Sequence, residues 1–142
     1  MESGHPVAIV LSLYQRLLSE PQAAIATGLA PDIAWENPLP DAIPFGGRFK
    51  GRGECARYLT LLLDAIEMED FAIDDAITEG DRVVLIGRET SRVKKTGRRY
   101  TMGWVHVVDM HDGLVTRVRE YNDTAAMEAA FNIGARRRGE TK

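Results

Sequence analysis

Apolar residues recur at helical spacing near the start of the chain and at every second position in its latter half. Val7, Val10, Leu11, Tyr14, Leu17 and Leu18 make one stripe at the helical period. Pro6 opens this helix at a position where its missing N–H costs little, and Pro21 closes it. A short second helix is expected over about Gln22 to Leu29, bounded by Gly28 and Pro31. Ile33-Ala34-Trp35-Glu36-Asn37 reads as a strand that stops at Pro38 and Pro40. The segment from Pro38 to Gly53, with three prolines and four glycines, reads as a loop suited to a pocket rim. A third helix follows from about Gly53 to Glu67, with Ala56, Leu59, Leu63 and Ile66 on its buried face.

From Phe71 onward the period is two. Strands are expected at Phe71–Thr78, Arg82–Val93, Arg98–Met110 and Leu114–Asn122, joined by hairpin turns at Glu79-Gly80-Asp81, Lys95-Thr96-Gly97 and His111-Asp112-Gly113. Asp123 or Thr124 can cap a last helix over about Ala125 to Phe131. Helices followed by a meander of hairpins mean an α+β fold, because parallel strands need a crossover between every pair.

Alternation sorts each strand into two faces. Val83, Leu85, Gly87 and Glu89 share one face of the second of these strands; Tyr100, Met102, Trp104, His106 and Val108 share one face of the third. Val118 and Glu120 share a face of the last strand, and Trp35 and Asn37 a face of the early one. The bulky set should meet the helices, so Asn37, Glu89, His106 and Glu120 are expected inside an otherwise apolar enclosure. An unpaired buried carboxylate costs several kcal/mol, and a few converging polar groups in an apolar cavity mark a small-molecule site. The opposite face carries Val84, Ile86, Val105, Val107 and Val115, and a second copy of the chain is the simplest cover for it.

Composition narrows the class. The 142 residues are 44% hydrophobic and 27% charged, which fits one folded domain over 1–142, ending in a basic, solvated tail at 132–142. The longest apolar runs, Val83 to Ile86 and Leu61 to Leu63, fall far short of the roughly 20 residues that a bilayer needs. No membrane is expected as partner, and no secretory signal is visible. A net charge of −3 gives no reason to expect nucleic acid. Cys55 is the one cysteine, so an intrachain disulfide is impossible, and a cytoplasmic location fits. His5, His106 and His111 have no ligand spacing for a metal, and the glycines at 46–47 and 51–53 lack the strand–loop–helix setting of a phosphate cradle. No cofactor is expected.

Three segments then carry a resemblance. Trp35-Glu36-Asn37-Pro38-Leu39-Pro40, Pro44-Phe45-Gly46-Gly47-Arg48-Phe49-Lys50-Gly51, and Asp112-Gly113-Leu114 through Val118-Arg119-Glu120-Tyr121-Asn122-Asp123 resemble the SnoaL-like branch of the nuclear transport factor 2-like superfamily, over about residues 5 to 131. The resemblance implies a cone-shaped half-barrel, N-terminal helices packed into a curved, mainly antiparallel sheet, usually dimeric. That superfamily hosts isomerases, cyclases, epoxide hydrolases, dehydratases and non-catalytic modules, so the fold does not name a reaction. A weaker similarity is to the limonene-type epoxide hydrolases, which hold a water with a tyrosine and an asparagine, helped by an Asp–Arg–Asp set. Trp35 and Asn37 fall at the early pair, Glu89 and Glu120 at the acids, and Gly87 where the arginine belongs. Arg88 is on the opposite face by alternation, and an indole N–H accepts no hydrogen bond.

The expected catalytic set is Glu120, Glu89, His106 and Asn37. In an apolar pocket Glu120 should be pushed up toward a range useful for acid–base work; the plain alternative is a strand glutamate paired with Arg119 or Arg98. Glu89 follows the same logic nearer the end of its strand. His106 shares a proton with either glutamate or rests on a backbone carbonyl. Asn37 holds a water or a substrate oxygen, or serves the turn before Pro38. Trp35, Trp104, Met102, Val118, Tyr14, Phe45 and Leu63 are expected to line the substrate space. Asp123 reads as a helix cap and Cys55 as core. The reading is a cofactor-free isomerase, cyclase, dehydratase or hydrolase on a small, apolar, ring-containing molecule; the alternatives are a ligand-binding or dimeric association module, and an epoxide hydrolase with an altered site.

Overall fold

Two prolines punctuate the start of the chain. A computed structural model describes residues 5–132. In it α1 (Pro6–Ser19) and α2 (Pro21–Gly28) both begin with proline, and the His5 ring caps α1 by accepting from the Val7 N–H. Val10, Leu13, Tyr14 and Leu17 are the buried stripe of α1. There follow β1 (Leu29–Asn37), β2 (Gly47–Lys50), α3 (Gly51–Ala65), β3 (Ile66–Glu79), β4 (Arg82–Val93), β5 (Arg99–His111), β6 (Leu114–Asn122) and α4 (Thr124–Phe131). Asp123 caps α4, accepting from the Ala126 N–H at 3.4 Å.

The six strands form one sheet in the order β2-β1-β6-β5-β4-β3. All neighbours are antiparallel except β1 and β6. The α+β class and the mainly antiparallel sheet are as expected. The sheet stays open, with β2 and β3 as free edges, so it half-encloses the helices rather than closing into a barrel. Register shifts in β3–β4 at Met68/Asp70 and Ile73/Asp75, and in β5–β6 at Asp109/Met110, bend the strands around them. The β5–β6 turn is tight because Asp112 and Gly113 both take positive φ, 52° and 79°, the primed geometry that matches strand twist.

Four expectations are corrected here. The Pro- and Gly-rich segment is not all loop: Gly47–Lys50 pairs with Ala34–Asn37 as β2. α3 ends at Ala65, and the residues from Ile66 belong to β3, where Ile66 is buried and Glu67 exposed in strand alternation. The buried face of α3 is Cys55, Tyr58 and Leu59; Ala56 is exposed and Leu63 is 37% exposed. Val115 is fully buried inside rather than on the outer face. Met110 pairs Val115 while Asp109 pairs Arg117, so Thr116 is an extra residue that turns Val115 inward.

The inner face of the sheet and the helices share the core, where each fully buried Val or Leu contributes about 1.5–3 kcal/mol. Val83, Leu85, Val108 and Val118 lie there with no exposure. On the outer face Ile77, Ile86 and Tyr121 stay exposed beside the half-buried Val84, Val105 and Val107. None of the described helices is long and apolar enough to cross a membrane. Of the basic tail at 132–142, residues 133–142 lie outside the described residues.

Candidate functional site

His106 on β5 and Glu120 on β6 stand directly opposite one another on the inner face. Trp35 and Asn37 come in from β1, Tyr14 from α1 and Tyr58 from α3. Their side chains meet in one network. Glu120 Oε2 accepts from the Tyr58 hydroxyl at 2.5 Å and from Trp35 Nε1 at 2.7 Å. Its Oε1 accepts from His106 Nε2 at 3.2 Å and from Asn122 Nδ2 at 3.3 Å. Asn122 Nδ2 also donates to Asn37 Oδ1 at 3.0 Å, and Asn37 Nδ2 to the Tyr58 oxygen at 3.1 Å. The Tyr14 hydroxyl lies 2.7 Å from His106 Nδ1.

Four donors fill the roughly four lone-pair positions of a carboxylate. Burial pushes the Glu120 carboxyl up, but the charge of a protonated His106, with hydrogen bonds from His106, Tyr58 and Trp35, outweighs it and holds the group at about 2. The upward shift expected for Glu120 is therefore reversed: the pocket around this carboxylate is apolar in composition yet polar where it touches the oxygens. With Glu120 ionised, His106 Nε2 carries the hydrogen that it donates to Oε1. Burial, and then the Glu120 charge, push the Tyr14 and Tyr58 hydroxyls well above the ordinary tyrosine value, so both stay protonated.

Glu89, on β4, is the second buried carboxylate and is held differently. Its Oε2 accepts from Ser91 Oγ at 2.7 Å and from the Tyr100 hydroxyl at 3.0 Å. Among the described residues nothing donates to Oε1, and this atom is not among the fully enclosed unpaired ones. Burial pushes Glu89 up by more than the Ser91 and Tyr100 hydrogen bonds pull it down, and the nearby Glu120 charge adds to the rise.

Both carboxylates open on one cavity beneath α1 and α3. It encloses about 610 Å³ of atom-free space including its mouth, of which about 70 Å³ can hold the centre of a water molecule. It is a narrow slot. Of the expected lining residues, Tyr14, Trp35, Phe45 and Met102 border it, as do Asn37, Glu89, His106 and Glu120. Three do not. Trp104 is 2% exposed and lies in the core, stacked on Phe71 at 4.8 Å and 4.4 Å from the His106 ring. Val118 is fully buried behind the network, and Leu63 borders an outer groove instead.

Trp104 also occupies the place where the epoxide hydrolases carry their arginine. A Cβ on Gly87 would stand 2.3 Å from Trp104 Cζ2 and 2.2 Å from the Ala72 carbonyl oxygen. The indole fills the space above Gly87, so no arginine fits there. Among the described residues no group of three or more His, Cys, Asp or Glu side chains is placed to hold a metal.

Several site residues escaped the reading of the sequence. Tyr58 was hidden by the wrong face of α3, although its spacing from Cys55 and Leu59 is the helical signal. Asn122 follows Glu120 by two on β6, and Ser91 follows Glu89 by two on β4, so alternation alone placed both inward.

Comparison with known proteins agrees with this architecture. An NTF2-like protein from Burkholderia xenovorans is 28% identical, with a TM-score of 0.83 over 89% of this chain and 95% of its own. TerC, crystallised with polyporic acid, is 26% identical, with a TM-score of 0.78 over 89% of this chain and 97% of its own. A candidate SnoaL-like polyketide cyclase from Mesorhizobium loti, 19% identical with a TM-score of 0.68 over 83% of this chain and 99% of its own, shares the fold. Among proteins of curated function, none matches the sequence closely enough to carry a function across. The SnoaL-like domain model matches residues 10–118, which is most of the chain, and the chain belongs to the SnoaL-like family.

Proposed function

We propose that the protein is a cofactor-free acid–base enzyme of isomerase, cyclase or dehydratase type, acting on a small, mainly apolar ring-containing molecule. The observation that carries the reading is Glu89: a buried carboxylate, held above the ordinary glutamate range, with one oxygen free at an apolar cavity. Such a group is a stronger base than an exposed glutamate and is suited to taking and returning a proton. The proton-moving role expected of Glu120 passes to Glu89, because Glu120 has no lone pair to spare. In the proposed step Glu89 Oε1 takes a proton from a carbon next to a substrate carbonyl. The C–H bond breaks, an O–H forms on Glu89, and the electron pair moves to the carbonyl oxygen. Returning the proton at another carbon completes an isomerisation. Asn37 has one amide hydrogen beyond its bond to Tyr58, and this supports the developing oxyanion. Glu120, His106 and Tyr14 hold the floor of the slot.

The ionised, fully bonded Glu120 favours a second reading, a binding module whose polar floor is purely structural. A thermal-shift panel of terpenoid, steroid and polyketide-like ring ketones on the native protein and Glu89→Gln separates the two. A ligand at about 100 times its dissociation constant adds roughly 2.7 kcal/mol, well within reach of such a scan. Compounds that stabilise both proteins are then assayed for turnover and for proton exchange with deuterated water. Exchange in the native protein that Glu89→Gln abolishes supports catalysis; binding without exchange in either protein leaves the binding module.

The outer sheet face, with Ile77 at 52% and Tyr121 at 51% exposure, supports the expected homodimer. Sedimentation of Ile86→Glu against the native protein tests it, with a monomeric native protein contradicting it.

A further inference from the structure

The charge around the slot says more about its ligand, on the reading that the slot is a ligand site. Glu89 and Glu120 both face it, and among the described residues no lysine or arginine lines it. His106 is the one lining side chain able to turn cationic, and both its nitrogens are engaged, Nδ1 with Tyr14 and Nε2 with Glu120. Leu18, Met68 and Phe71 border both the slot and an outer groove, where Glu67, Glu69 and Asp70 of β3 join them. The charges of that groove largely offset one another: Arg92 pairs with Glu67 at 3.1 Å, Arg99 pairs with Glu69 at 3.0 Å, and Lys94 keeps its charge while Nζ donates to the Leu63 carbonyl at 2.7 Å. A carboxylate or phosphate that enters the slot would lose its hydration and meet buried Glu89 with no lysine or arginine on the slot's described lining.

We propose that the slot takes an uncharged ring compound whose hydroxyl is hydrogen-bonded to Glu89 Oε1, and that it turns anions away. The ring follows from the shape and from the flat faces of Trp35, Phe45 and Tyr58 along a narrow space. The hydroxyl follows from Glu89 Oε1, the one carboxylate oxygen of the slot without a donor among the described residues. Specificity then rests on what Glu89 repels as much as on what it holds.

The test is calorimetric, at pH 7.5, with three probes: methyl 6-hydroxy-2-naphthoate, its free carboxylate, and the methyl ester with the hydroxyl methylated. The native protein should bind the hydroxy ester at least about tenfold more tightly than the carboxylate, a gap of 1.4 kcal/mol. The methylated ester should bind more weakly than the hydroxy ester in the native protein and equally in Glu89→Gln. The ester–carboxylate gap should narrow in that variant. Equal or tighter binding of the carboxylate by the native protein overturns the charge assignment and leaves the ligand site standing. Equal binding of both esters by the native protein overturns the hydroxyl assignment. If no probe binds, and a wider series of neutral bicyclic and tricyclic esters also fails, the site reading itself falls and this inference falls with it.

Discussion

The two buried glutamates sit on either side of β5, on the same face of one sheet, and differ in the donors and the charge that reach their oxygens. Glu120 has four, from Tyr58, Trp35, His106 and Asn122. Glu89 has two, both on the same oxygen. Burial acts on both in the same direction, yet it is overruled at Glu120 and prevails at Glu89. An apolar environment therefore does not by itself decide what a buried acid does; the neighbouring charge and the donors on its oxygens do. One carboxylate becomes a fixed anion that organises four elements of the fold. The other keeps one oxygen without a donor among the described residues, on a side chain that lines the slot.

The comparison breaks most visibly if the anion is removed. Glu120→Leu leaves a tryptophan, a tyrosine, a histidine and an asparagine donor without their shared acceptor, and should cost about 3–5 kcal/mol in a urea or thermal melt. A loss under about 1 kcal/mol, within the ordinary scatter of point mutants, would show that the network is not what holds the floor. Tyr58→Phe removes one charge-assisted hydrogen bond and should cost about 1.5–3 kcal/mol, with Glu120 titrating higher than in the native protein. At Glu89 the sign should reverse: Glu89→Gln should gain about 1 kcal/mol at pH 7, because it lifts the cost of a buried charge while keeping an oxygen for Ser91 and Tyr100.

The pH dependence follows from the same directions. The folded value of Glu120 is depressed, so its contribution is full above the ordinary 4.5 and is lost as pH falls toward about 2. The folded value of Glu89 is raised, so the fold tolerates it well below 4.5 and loses stability as pH rises through the folded value. The advantage of Glu89→Gln should thus vanish in acid, while acid unfolding of the native protein should be steep over the Glu120 window. A stability difference that is flat with pH between native and Glu89→Gln would remove the raised ionisation from the account.

Much of the fold was legible because its local signals agreed. Pro6 and Pro21, the stripe of α1, and the strict alternation of β4 and β5 all point one way, and Asn37, Glu89, His106 and Glu120 do turn inward together. The remainder depended on contacts between distant segments. β2 has two neighbouring glycines and a proline before it, and only its pairing to β1 makes it a strand. The bulge at Thr116 shifts Val115 across the sheet, and one extra residue is invisible to a period-two reading. Trp104 looked like a wall residue by alternation, and the missing side chain at Gly87 lets it sink into the core instead. The charge states were least legible of all. Tyr58 is 62 positions from Glu120 and Trp35 is 85, and no local pattern announces that they converge on one oxygen.

The most direct test of the account is the titration of the two carboxyl groups, followed by carbon-13 NMR of the glutamate side chains and assigned with Glu89→Gln and Glu120→Gln. Glu120 should remain ionised far below the ordinary glutamate range, toward about 2, while Glu89 titrates above 4.5. If Glu120 titrates at or above Glu89, then the anchored anion and the free proton carrier have been assigned to the wrong residues.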